Sequence, residues 1–142
     1  MAPIRALIVD DEELLRLLVE RVLRAAGYET ACASDGDDAM VVAANGPPFD
    51  LLVTDEVMPR LTGHQLARAM RERYPDLKVL YLTGYRDQVF DAKGSLWAGE
   101  AFLDKPCTAE GLLQAVSQLL FGRLLRRDEH RPDVLPRHPR DV

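Results

Sequence analysis

Phe49-Asp-Leu-Leu-Val-Thr-Asp55 is the stretch that decides the fold. Its core, Leu51-Leu-Val53, is apolar without alternation, the pattern of a strand covered on both faces, and such strands belong to parallel sheets packed between helices. It ends on a carboxylate, Asp55. The arrangement recurs along the chain. Ile4-Arg-Ala-Leu-Ile-Val9 runs into Asp10 and Asp11, Val79-Leu-Tyr-Leu82 into Thr83, and Ala101-Phe-Leu-Asp104 into Lys105. In an open parallel sheet the C-terminal strand ends share one edge, and ligands bind there. The sequence therefore predicts that three carboxylates, a hydroxyl and an ammonium converge on that edge.

Helical patterns separate the strands. Glu12–Ala26 carries Leu14, Leu15, Leu18, Val22 and Ala25 at helical spacing, and Gly27 supplies a left-handed stop. Tyr28–Cys32 reads as a weaker strand, expected at an edge. Ser34-Asp-Gly-Asp37 offers capping oxygens for a helix through about Ala44, which Asn45-Gly-Pro-Pro48 ends. Thr62 and Gln65 have capping-box spacing for a helix that stops before Tyr74-Pro75. A short helix is expected near Asp87–Ala92, and Thr108 caps a last one with Leu112, Leu113, Val116, Leu119 and Leu120 on its buried side. Five strands and five helices in alternation give an α/β fold, a parallel sheet with helices on both faces.

The chain of 142 residues suits one domain, read as residues 1–122. Residues 123–142 hold six arginines, four acids and three prolines with few apolar residues, and read as a basic flexible tail that cannot bury enough surface to order itself. A net charge of −5 argues against a nucleic-acid surface. Cys32 and Cys107 are too few for a disulfide framework, and a cytoplasmic setting is expected. His64, His130 and His138 have no metal-ligand spacing.

Three carboxylates at one edge repel one another, and a hard divalent cation relieves that repulsion. Mg²⁺ takes oxygen ligands and usually shares them with phosphate. Asp55 is then the candidate nucleophile, since a carboxylate accepts a phosphoryl group as an acyl phosphate. Lys105 supplies a point charge for phosphate oxygens and Thr83 one hydrogen-bond donor. For Asp10 and Asp11 alone, capping the first helix is an equally good reading; Asp55 in the same relation to another strand tips the balance.

Val9-Asp-Asp-Glu12, Val53-Thr-Asp55 with Met58-Pro59 and Gly63, Leu82-Thr-Gly84 and Phe102-Leu-Asp-Lys-Pro106 together resemble the receiver domain of two-component response regulators, over roughly residues 4–122. The resemblance implies a flavodoxin-like (βα)5 fold of strand order 2-1-3-4-5. It implies a signalling domain that catalyses only its own phosphorylation and dephosphorylation. Asp55 would take a phosphoryl group from phosphohistidine on a histidine kinase or histidine phosphotransfer protein. Asp11, Asp55 and the Val57 backbone carbonyl would ligate Mg²⁺, Asp10 would act through a water, and Lys105 would contact the phosphoryl group. Thr83 and Phe102 would form the switch that reshapes the face of the fourth helix, fifth strand and fifth helix.

Some positions depart from the family pattern. Glu56 places an extra charge beside the acceptor, and is expected either to face away or to disfavour phosphorylation. Val57 offers no hydrogen bond to an attacking water and Tyr85 shields the acyl phosphate, so slow self-dephosphorylation is expected; hydrolysis within seconds on the purified phosphoprotein contradicts it. A phosphatase would want an acid at position 57, and a dinucleotide-binding domain a glycine-rich turn after Val9. A phosphate-independent interaction module is the remaining alternative, with Glu56 its only support. Met1 and the tail suit a stand-alone receiver, whereas residues 75–85 resemble receivers of hybrid histidine kinases. Leu120, Phe121, Leu124 and Leu125 offer an apolar edge for a homodimer or another partner.

Overall fold

The apolar run at the N-terminus forms β1 (Arg5–Val9), and the chain then alternates as α1 (Glu13–Ala25), β2 (Glu29–Ala33), α2 (Gly36–Ala44), β3 (Leu51–Thr54), α3 (Gly63–Arg73), β4 (Lys78–Thr83), β5 (Glu100–Asp104) and α4 (Ala109–Phe121). This computed structural model describes residues 3–84 and 98–122, the side chain of Thr83 excepted. The expected short helix near Asp87–Ala92, Tyr85, and the tail 123–142 with its two histidines lie outside the described residues. All strand pairs are parallel, in the order β2-β1-β3-β4-β5, so the weak second strand does stand at an edge.

The uninterrupted apolar strands are explained by two cores. Leu7, Val9, Leu52, Val79 and Tyr81 point to one face and pack against Ala39, Ala43, Leu66 and Met70 of α2 and α3. Ala6, Ile8, Leu51, Val53, Leu80 and Leu82 point to the other, against Val19 and Leu23 of α1 and Leu112 and Val116 of α4. Alternate residues of each strand thus leave water on opposite sides.

The helix ends follow the sequence closely. Asp35 accepts from the Asp38 amide at the start of α2, and Thr108 from Gly111 at the start of α4. Thr62 and Gln65 make the full reciprocal capping box on α3. Gly27, at φ 99°, closes α1 with bonds from its own amide to Arg24 and from Tyr28 to Leu23, the paired pattern of a left-handed helix stop.

In α1, Leu14 and Leu18, which share the helical spacing with Leu15 and Val22, are 85% and 55% exposed, and Leu17 is also exposed. Val19 and Leu23 are the buried residues, with Leu15 and Val22 partly covered. In this leucine-rich helix two stripes satisfy the same spacing, and the α4 contact selects one of them.

Candidate functional site

The sheet topology delivers the convergence that the sequence predicts. Asp10 and Asp11 follow β1, Asp55 follows the neighbouring β3, and Lys105 follows β5. One carboxylate oxygen from each of Asp10, Asp11 and Asp55 lies within 4.8 Å of the others. Asp10 and Asp55 are buried, whereas Asp11 is exposed at the mouth. The Lys105 ammonium stands 3.1 Å from Asp10 Oδ2 and 3.4 Å from Asp55 Oδ2, with Glu12 Oε1 at 3.7 Å. The Lys105–Pro106 peptide is cis. Thr83 closes β4 opposite Asp104.

Asp10 combines both of its sequence-level roles. Its Oδ1 accepts the Glu12 amide at 2.8 Å, which turns the chain into α1, while Oδ2 faces Lys105. Arg16, which no motif marks, holds the same residue from another side, its Nη1 donating to the Asp10 carbonyl at 2.7 Å. Helical side chains lean toward the N-terminus, so an arginine in the second turn reaches back to the strand end. That geometric rule is the signal that would have found it.

Burial raises the Asp55 carboxyl above its ordinary value, and the Asp10 carboxylate adds to this; Lys105 and the Val57 amide oppose without cancelling it. Burial alone would lower Lys105, but Asp55 and Asp10 outweigh it and hold the ammonium charged. Both partners shift upward, as expected where carboxylates outnumber the cation. The oxygen-only donor set, with negative charge in excess, fits a hard divalent cation such as Mg²⁺.

Glu56 does not join the cluster. It is buried, at 6% exposure, and turned toward α3, where its Oε1 accepts the His64 amide at 2.8 Å. Val57 is exposed, and its amide reaches Asp55 Oδ1 at 3.3 Å. Phe102 is half-buried, with its ring 5.6 Å from that of Tyr81, and Phe121 is exposed at the end of α4. Leu124 and Leu125 lie outside the described residues. Cys107 packs partly buried beside the second core, and Cys32 is pushed up to about 11 by burial and by Glu20, so both thiols stay protonated.

The family model described as the response regulator receiver domain matches residues 6–117. The chain belongs to that family. As a receiver domain it is a signalling domain of two-component systems, in the flavodoxin-like, CheY-like form of the α/β class. It is 40% identical over 119 residues to the response regulator MprA of Mycobacterium sp. (strain KMS), covering 83% of this chain and 51% of that one. It is 32% identical over 115 residues to the sensor kinase CckA of Brucella abortus (strain 2308), covering 80% of this chain and 12% of the kinase. Among solved structures, the response regulator TrrA of Thermotoga maritima, in complex with Mg(2+)-BeF, superposes with a TM-score of 0.71 at 32% identity, covering 82% of this receiver and 99% of TrrA. This receiver thus spans about half the length of MprA. Among its described residues no helix is long and apolar enough to cross a membrane.

Proposed function

We propose that the receiver takes a phosphoryl group onto Asp55 from phosphohistidine on a histidine kinase or histidine phosphotransfer protein. The observation that carries this reading is the joint convergence of Asp10, Asp11 and Asp55 with Lys105 at one sheet edge. An Asp55 carboxylate oxygen attacks phosphorus, the N–P bond breaks, and the imidazole leaves with the electron pair and takes a proton from water. Lys105, already drawn between Asp10 and Asp55, meets the phosphoryl oxygens with a fixed positive charge. Asp11, Asp55 and the Val57 carbonyl would hold Mg²⁺, and Asp10 would reach it through a water. The ion supplies neutralisation of the phosphoryl charge. Catalysis extends only to the protein's own phosphorylation and dephosphorylation.

The response to the new charge would pass through Thr83 and Phe102, the first on β4 and the second on the adjoining β5. A phosphate-independent interaction module rested on Glu56, whose carboxylate instead caps α3. Incubation with acetyl phosphate and Mg²⁺ tests the reading. One phosphoryl group is expected by intact mass, absent when EDTA is present and absent in Asp55→Asn. A gain that persists in Asp55→Asn places the acceptor elsewhere.

A further inference from the structure

Glu56 directly follows the candidate acceptor, and its backbone and side chain both bind the first turn of α3. Its carbonyl accepts the Gly63 amide at 3.1 Å and its Oε1 accepts the His64 amide at 2.8 Å. Gly63 and His64 are the first two residues of α3, whose leading amides have no partner within the helix. The contact is close on the main-chain side as well. A Cβ on Gly63 would stand 2.2 Å from the Asp55 carbonyl oxygen and 3.1 Å from Glu56 Cα. The acceptor loop is therefore laid directly against the helix start. Burial of Glu56 between exposed Val57 and the pocket-facing Asp55 fixes the direction of the chain through all three residues.

We infer that Glu56 is a positioning residue: its buried carboxylate anchors the acceptor loop to the α3 N-terminus and so presents the Asp55 carboxylate and the Val57 carbonyl to the divalent cation. This rests on the reading of the site given above. What matters is an acceptor oxygen for the otherwise unpaired His64 amide, rather than charge acting on the ion through space. Glutamine keeps that oxygen and loses the charge, whereas alanine loses both.

Isothermal titration with MgCl₂ on the wild type, Glu56→Ala, Glu56→Gln and Met70→Ala separates the possibilities. Met70 is buried on the core-facing side of α3 and makes no part of the loop, so its variant controls for lost stability alone. Glu56→Ala is expected to weaken Mg²⁺ binding about tenfold, the size seen when a group that orients metal ligands is removed. Glu56→Gln recovers most of that loss, and Met70→Ala binds as the wild type does although it melts lower. Equal weakening in Glu56→Ala and Glu56→Gln overturns the inference in favour of a through-space charge effect. Unchanged binding in Glu56→Ala overturns it in favour of a purely structural cap. A wild type that binds no Mg²⁺ overturns the site reading itself, so the two failures are distinguishable.

Discussion

Gly63→Ala is expected to destabilise the receiver by about 3 kcal/mol or more, a loss of roughly 10 °C in melting temperature for a domain of this size. The new methyl group would meet the Asp55 carbonyl oxygen at 2.2 Å, and both sides of that contact are backbone. No rotamer change relieves it. Relief requires α3 to move off the acceptor loop, which breaks the Gly63–Glu56 and His64–Glu56 bonds. Gly46→Ala is the matched control, since only the flexible end of Arg5 approaches that position, at 3.9 Å. Thermal melts followed by circular dichroism give the comparison. A Gly63→Ala melt within a degree or two of the control would contradict the close approach of α3 to the acceptor loop.

Lys105→Met is expected to move two properties in opposite directions. Methionine keeps an apolar stem and removes only the ammonium between Asp10 and Asp55. A cation that competes for those carboxylates is gone, so Mg²⁺ should bind several-fold more tightly. The fixed charge for phosphoryl oxygens is also gone, so phosphorylation by acetyl phosphate should slow about 100-fold, the usual cost of removing one such donor. Titration calorimetry reads the first effect and the rate of mass gain at saturating Mg²⁺ reads the second. An unchanged rate would remove Lys105 from the chemistry and leave it a structural ion pair.

Much of the fold and of the site is legible in the amino-acid sequence, for a definite physical reason. A strand buried on both faces must be apolar throughout, so Leu51-Leu-Val53 announces its own environment, and the first polar residue after it marks the sheet edge. Asp55, Asp10, Asp11 and Lys105 were visible for that reason. The caps at Asp35, Thr62 and Thr108 were visible too, because unpaired helix amides demand specific side chains.

What escaped depends on direction rather than residue type. The buried face of α1 is not legible in the sequence, because Leu14 and Leu18 fit helical spacing as well as Val19 and Leu23 do; only the sheet and α4 decide between the two stripes. Glu56 posed the same difficulty, since a carboxylate beside an acid cluster reads as repulsion until the chain is seen to turn it toward the His64 amide. Arg16 went unnoticed because its partner is a backbone carbonyl, which leaves no mark in the side-chain pattern. Roles that the resemblance assigns to Thr83, Phe102 and Tyr85 concern movement and hydrolysis, and no residue pattern encodes those directly.

The most direct test of the central claim is the location of the phosphoryl group. After incubation with acetyl phosphate and Mg²⁺, reduction with borohydride converts an aspartyl phosphate to homoserine, and peptide mass mapping places it. The account predicts a single homoserine at position 55 and none in a sample kept in EDTA. Modification at Asp10 or Asp11, or Mg²⁺-independent modification, would contradict it.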